Sequence, residues 1–555
     1  MKAAAAAATL LLLAPAPARA IISPPEASSA AAVAGIQIER TNVFDPAVTG
    51  ENWWPFRAAN KLHILTREAI IQRELLFSPG EPWDQLKVIE SERNLRANGS
   101  FRRAEILHVP RPDGSADAVV VTQDAWTTNP KFNIGTEGGK NFLSYGIEEG
   151  NLLGYGKAVS LEHSQDGATI SNSYGYADPR FLGSRLGLKG SYARNQNGDQ
   201  ISADLARPFY SLDAGHALGM GWTRTLGDES LVRDGDDYSK YRRRVRVADA
   251  AYGMRLTGDR DFVQRAEAGW YSEKFHFDPT PDTTAGTLPQ GRELSGPTAG
   301  YSWVQPRYIK ETYIDRIERV EDFNLGNELK ARGGFMAAAA GSDRDRWMFN
   351  VSDQQGLSLG PGRFLLARVG ASSRLAAGRW ENGLVTGGVN LFWKHQTRER
   401  TSERTLVLHA EGSSGRFLDP QNQLSLGGNS GLRGYKNDSF VGGKSILFNL
   451  EDRFFFDREW FHLVRFGGVL FVDSGVAVPE GSGFSFSRFK TDLGAGLRLA
   501  GTRSRSGGVA RIDVAYALNG GPGGSRIVVS VKGGQAFDLF SSSTRRVTTS
   551  PASRL

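Results

Sequence analysis

The chain has 555 residues, with 67 lysines and arginines against 60 aspartates and glutamates, a formal charge of +7. The basic residues are dispersed among carboxylates rather than gathered into one stripe, which argues against a nucleic-acid partner. No cysteine is present, which excludes a disulfide framework, a thiolate metal site and a lipid-carrying cysteine. Lys2, an apolar run through Leu13 and the small-x-small pattern Ala18-Arg19-Ala20 predict a secretory signal peptide over residues 1–20, and residues 21–35 read as a flexible linker. Sixty-six glycines and a mean hydropathy of −0.36 point to β-structure with long polar loops. No second long apolar run exists, so any membrane span must be made of strands.

Residues 36–130 read as one small α+β domain, in the order strand, helix, helix, strand, strand. "IQIERTNVF" alternates as a strand, and "NKLHILT" follows a Trp-rich insert, "ENWWPF". Thr66 is placed to cap a helix carrying Ile70, Ile71, Leu75 and Phe77 on one face. A second helix starts at Pro82, carries Trp83, Leu86, Ile89 and Leu95, and stops at Asn98-Gly99. "FRRAEILHV" and "AVVVTQDAW" close the unit as strands.

Over residues 131–540, segments of about ten residues alternate apolar with polar between Gly, Asn, Asp and Ser turns, the pattern of a membrane β-barrel. Val389, Leu391 and Trp393 oppose Asn390, Lys394 and Gln396. Leu406, Leu408 and Ala410 oppose Thr405, His409 and Glu411, and Ala266, Ala268 and Trp270 oppose Arg265, Glu267 and Tyr271. A soluble sandwich alternates similarly, but this region is too long for one sandwich, and charges deep within strands suit a water-filled lumen. "KGGQAFDL", with Lys532, Gly534, Phe537 and Leu539, fits a polar-x-Gly-x-x-apolar-x-apolar last strand, followed by a polar tail over residues 541–555.

Other motifs carry no chemistry. "GLSLG" at residues 356–360 has the G-x-S-x-G spacing, but Pro361-Gly362 follows where a nucleophile elbow needs a helix. "GGKS" at 442–445 has Asp438 where a phosphate loop needs its first glycine. Eight scattered histidines show no metal-ligand spacing. The sequence thus gives no catalytic residue, no metal site and no cofactor.

The glycine-rich stretch "SLGGNSGLRGYKNDSF" (425–440) holds Leu432, Arg433, Gly434 and Tyr435, followed by "FNLEDRFFF" with Glu451 and by "FVDSG" with Phe471, Asp473 and Gly475. Leu432 to Tyr435 resembles the tip of the loop that folds back into the barrel in the BamA/TamA superfamily of bacterial surface antigens. Phe471 to Gly475 resembles the strand motif that receives the loop arginine, and Glu451 falls at a second acidic partner. "NLLGYG", "YADPRFLG", "DLGAGLRL" and "RIDVAYAL" agree in order, the terminal strand resembles the C-terminal signal of outer-membrane barrels, and residues 36–130 resemble a single POTRA domain.

The resemblance implies a Gram-negative outer-membrane protein, a 16-stranded antiparallel barrel with its N-terminal domain in the periplasm. It implies insertion or assembly of client polypeptides in the bilayer, with periplasmic chaperones or accessory lipoproteins as further partners. Clients would add a strand to the POTRA sheet edge and to a seam between residues 132–134 and 527–537. Translocation of a secreted polypeptide, as in two-partner secretion, ranks second, because such members usually carry two POTRA domains and an N-terminal plug helix; a porin without clients ranks third. Independently of the family, an arginine in a partly dehydrated lumen needs a carboxylate, and its planar fork meets one with two hydrogen bonds. Arg433 is therefore expected to reach Asp473, with Glu451 nearby.

Overall fold

The protein is seen in a computed structural model that describes residues 31–137, 140–166, 169–395, 402–505, 508–522 and 524–533. The expected signal peptide, most of the expected linker, the expected C-terminal tail and Gly534, Phe537 and Leu539 of the expected terminal signal lie outside the described residues; Lys532 lies in the last strand, Ile527–Gly533.

The N-terminal unit is a three-stranded sheet covered by helices. Strands β1 (Val33–Thr41), β2 (Phe101–Pro110) and β3 (Ala116–Asp124) lie in the order β1-β3-β2, with β1 parallel and β2 antiparallel to β3. Helices α1 (Trp54–Leu62), α2 (Glu68–Gln72) and α3 (Gln85–Asn98) lie between β1 and β2. Ile71, Leu75, Phe77, Trp83, Val88 and Leu95 pack on Val33, Ala118 and Val120 as one core.

Several local expectations are corrected here. The strand begins inside the expected linker, because the Val33 N–H donates to Glu81 O and Val33 O accepts from Gly80 N–H. Thr66 does not cap α2: its N–H and hydroxyl donate to the Asp124 carboxylate, at 2.8 and 2.9 Å, and Arg67 takes the N-cap position. Asp84, accepting from Leu86 N–H at 3.0 Å, caps α3, so Pro82 and Trp83 precede it and Leu86 is exposed. Gly99 ends α3 at φ 77°, the left-handed position that glycine adopts without strain. Helix α1 is an addition to the expected order, opening with Pro55 at its first turn.

The rest is a closed antiparallel barrel of twenty strands among the described residues, from Thr128–Glu137 to Ile527–Gly533, which are neighbours. This corrects the expected sixteen. Sixteen strands over about 410 residues presume about 26 residues for each strand with its connection. The first six strands are only 9 or 10 residues long, and short connections such as Gln196-Asn197 let more strands fit in the same length.

Outward side chains are apolar and uncovered by protein, among them Trp270, Trp393, Leu408, Leu470, Val472, Leu493 and Val514, a surface that lipid, not water, would cover. Inward side chains include Tyr271, Asn390, His409, Glu451, Asp473 and Arg498, all buried. The N-terminal domain sits at the mouth where the first barrel strand begins, called here the near mouth.

Candidate functional site

Residues 417–443 connect two strands at the far mouth and turn back into the lumen. The turn needs glycine: Gly431 has φ 100°, and a Cβ there would lie 2.2 Å from Leu447 Cδ2. At Gly434 a Cβ would lie 2.5 Å from Asp492 Cβ. Leu432 and Tyr435 are buried with Leu426, Leu447 and Ala517, and the Tyr435 hydroxyl lies 3.0 Å from Thr491 O, to which it donates.

This packing presents Arg433 to the wall. Its Nε and Nη2 donate to the two oxygens of Asp473, both at 2.7 Å, and Nη1 donates to Glu451 at 2.6 Å. The guanidinium lies 3.5 Å above the Phe471 ring, adding a cation–π contact. Asn449 donates to Asp473 and to Gly431 O, both at 2.7 Å, so one amide ties the carboxylate to the loop backbone. Gly475 lies farther along the same strand, where a Cβ would come within 3.1 Å of Leu426 of the loop. The structure thus brings together Arg433, Glu451, Phe471 and Asp473; Lys532 is on the last strand, opposite Arg511.

The cluster extends beyond the residues singled out in the sequence. Arg453 Nε donates to Glu451 at 2.6 Å, Arg498 and Arg511 donate to Asp513 at 2.6 and 3.1 Å, and Asp513 lies 3.9 Å from Arg433. Asp492 faces Asp473 across paired strands. The four buried guanidiniums thus pair with three buried carboxylates, Glu451, Asp473 and Asp513, the partnering that burying charge demands, and Asp492 lies beside them. The signal for them was strand parity: Glu451 and Arg453, or Arg511 and Asp513, two apart on a strand, share a face.

A second connection enters the lumen from the near mouth. Residues 305–326 form a hairpin, Tyr308–Glu311 paired with Glu321–Asn324, between two barrel strands. Ile314, Phe323 and Leu325 pack on the lumen-facing Phe364, Leu366, Phe392 and Val407, while Ile317 packs on Phe455, Ala500 and Val509. The tip is tied to the cluster: Arg453 Nη1 donates to Ile314 O at 2.9 Å. Arg433, Glu451, Arg453 and Ile314 therefore form one chain of hydrogen bonds from the far-mouth loop to the near-mouth insert.

The insert is also bound to the N-terminal domain. Arg96 of α3 donates to both oxygens of Asp322 at 2.8 and 2.7 Å, Lys310 reaches Glu92 at 2.6 Å, and Arg319 donates to Phe101 O at 3.3 Å. Glu321 accepts from the N–H groups of Ile314, Asp315 and Arg316. Burial, with Asp315 beside it, pushes its carboxyl up to about 7. A cavity of about 330 Å³ remains beside the insert, lined by Arg93, Arg265, Glu267, Tyr308 and Arg332 among others.

Fold and site together define a membrane-type β-barrel whose lumen is occupied by its own connections, with a small α+β domain against one mouth. No family model matches the chain. The outer membrane protein assembly factor BamA of Neisseria meningitidis serogroup B is 26% identical over 137 residues, 23% of this chain and 17% of that protein, so the match spans well under two thirds of the relative. Similar solved structures are BamA from Haemophilus ducreyi lacking POTRA domains 1–3 (14% identity, TM-score 0.38, 90% of this chain and 84% of that one) and CdiB from Acinetobacter baumannii (12% identity, TM-score 0.45, 91% and 74%). The relative is a BamA, the superfamily that the loop and strand motifs resemble.

Proposed function

We propose that this chain is an outer-membrane protein that inserts or assembles β-barrel clients, with its N-terminal unit acting as a POTRA-like module in the periplasm and Arg433, Glu451 and Asp473 as the latch of its lumen loop. The observation that carries the reading is the double occupation of the lumen. Passage of a polypeptide would require breaking the buried Arg433 and Arg453 pairs and removing Ile314, Ile317 and Phe323 from their apolar contacts. Among the described residues, opening the seam breaks the pairing of the seven-residue strand Ile527–Gly533 with the first strand and the bonds that tie Trp126 and Asn129 to residues 503–505. A client strand arriving there would satisfy the freed backbone groups, and its own folding would supply the driving energy. The name of the Neisseria relative, an assembly factor, points the same way.

On the N-terminal sheet, β2 is an edge strand among the described residues. Glu92 already accepts the Ile106 N–H at 3.0 Å, so strand addition would use the stretch after it, where Leu107 and Val109 are exposed. Chaperones or accessory lipoproteins would deliver clients to that edge.

The test uses cysteines at Phe132 and Val529 or Val531, in a chain with no native cysteine, joined by a short bifunctional thiol reagent with and without newly exported barrel protein. Seam crosslinks that fall while crosslinks from the same positions to client strands appear support insertion. A seam that stays joined without loss of function, with secreted polypeptide trapped beside Arg433, replaces this reading with translocation. A seam that stays joined with no polypeptide captured anywhere leaves a client-free barrel.

A further inference from the structure

Helix α1 has a face that nothing in the chain covers. Trp54, Ala58 and Leu62 follow one another at the i, i+4, i+8 spacing that lines one side of a helix. Trp54 is 64% exposed and Leu62 80%, and Trp53 and Ile64 at the helix ends are exposed beside them. Arg57 and Lys61 flank this stripe, also exposed, and the helix contains no acidic residue. Two exposed tryptophans together with exposed Leu62 and Ile64 form a contiguous apolar surface, which marks an interaction site rather than ordinary surface.

The opposite side of α1 is fixed to the barrel. Phe56 is buried, stacked on Phe44 with ring centroids 4.3 Å apart and edge-on to His462 at 6.1 Å. His462 lies in the near-mouth turn between the strands Lys444–Trp460 and Val464–Val478. Arg503 completes the attachment, donating to Glu51 at 2.7 Å and to His462 O at 2.9 Å. The same turn carries Phe461, 77% exposed, with Trp460, Leu463 and Phe466 also exposed around it. These belong to the outward apolar belt of the barrel, at the end where membrane barrels place aromatic side chains. The contact of Phe56 with His462 therefore places α1 beside the outward apolar belt at the near mouth.

We propose that α1 is an interfacial membrane anchor. Trp53, Trp54 and Leu62 lie at the boundary between headgroups and acyl chains of the leaflet at the near mouth, and Arg57 and Lys61 meet lipid phosphates. Tryptophan and basic side chains around an apolar stripe are the composition that holds a helix in that plane. A protein partner is the less fitting occupant, because the helix stands beside the outward apolar belt and carries two basic and no acidic side chains. The anchor sits next to the seam: Trp126, just before the first barrel strand, pairs with Ser504 and lies 6.2 Å ring to ring from His63, the C-cap of α1. The helix thereby fixes the N-terminal domain at a set height beneath the place where the barrel closes.

The inference rests on the barrel being membrane-spanning, and the experiment separates the two. Single cysteines at Ala58 and Leu62, which leave both tryptophans in place, are labelled with bimane in the full chain and reconstituted in phosphatidylethanolamine–phosphatidylglycerol vesicles. Leu470 on the barrel wall and Val109 on β2 serve as references. The expected result is that spin-labelled lipid quenches positions 58, 62 and 470 at least about threefold more than 109, while aqueous iodide shows the reverse order. If 470 is quenched by lipid but 58 and 62 behave like 109, the anchor is refuted and the barrel stands. If 470 escapes lipid quenching, the membrane reading fails with it. Shielding of 58 and 62 from both quenchers, in vesicles holding only this protein, assigns the face to a second copy and overturns the proposal.

Discussion

Replacing Arg433 by alanine removes the three side-chain bonds to Asp473 and Glu451 and leaves both carboxylates buried. Breaking a buried pair from one side costs about 3–5 kcal/mol. The local geometry sets the value within that range: Asp473 keeps the Asn449 amide at 2.7 Å, and Glu451 keeps Arg453 at 2.6 Å. Neither carboxylate is left bare, so the cost falls at the low end, about 3 kcal/mol. Arg433→Lys keeps the charge but lacks the planar fork that serves Asp473 through two parallel bonds, and should lose about half as much. The charge exchange Arg433→Asp with Asp473→Arg restores little, because the new aspartate stands beside Glu451 and Asp513. Urea unfolding in lipid vesicles reads the stability, and the labelling rate of a cysteine at Lys436 with a membrane-impermeant maleimide reads release of the loop. An Arg433→Ala variant within about 0.5 kcal/mol of the parent, with unchanged labelling, would refute the latch.

Three further outcomes follow from the same geometry. Arg453→Met cuts the bond to Ile314 O and unpairs one side of Glu451; a spin label at Arg316 should become mobile in this variant while the far-mouth loop, still held through Asp473, stays protected. Glu321, raised from 4.5 to about 7, makes docking of the insert strongest below pH 4.5 and weakens it by up to about 3 kcal/mol as pH rises to 7, since the docked state holds the extra proton; the label at 316 should loosen between pH 5 and pH 8, and Glu321→Gln should abolish that change. Gly431→Ala forces a side chain into φ 100° and to within 2.2 Å of Leu447; a loss of about 2–3 kcal/mol in urea unfolding is expected.

What the sequence made legible was chemistry that obeys local rules. The tie of Arg433 to Asp473 and Glu451 rests on a charge that must be paired and on glycines that must turn, and both are written in residues 427–434. The alternation in strands such as Leu406 to Glu411 shows which side faces out. Helix α1 was hidden in what the sequence presents as a Trp-rich insert, "ENWWPF", with "NKLHILT" after it, although its Pro55 stands in the first turn, where proline begins a helix. Thr66 has the right chemistry for a cap, but a buried carboxylate 58 residues away took its hydrogen bonds.

The insert was hidden for a deeper reason. Its apolar side chains match positions on strands distant in sequence, so no window of the chain contains both halves of the contact. The trace it leaves is a fault in the alternation. Phe364, Leu366, Phe392 and Val407 are apolar on the face where a water-filled lumen calls for polar residues. Phe392 in particular sits between Leu391 and Trp393, making three consecutive apolar residues that a lipid face alone does not explain. A barrel strand apolar on both faces has a dry neighbour on each, and in a single-layered wall the inner neighbour must come from the chain's own connections or from a partner. Here residues 305–326 fill that place, and their ion pairs to Glu92 and Arg96 couple the filling of the lumen to the position of the N-terminal domain. A movement of that domain away from the mouth would therefore break these pairs before it disturbed the Arg433 latch.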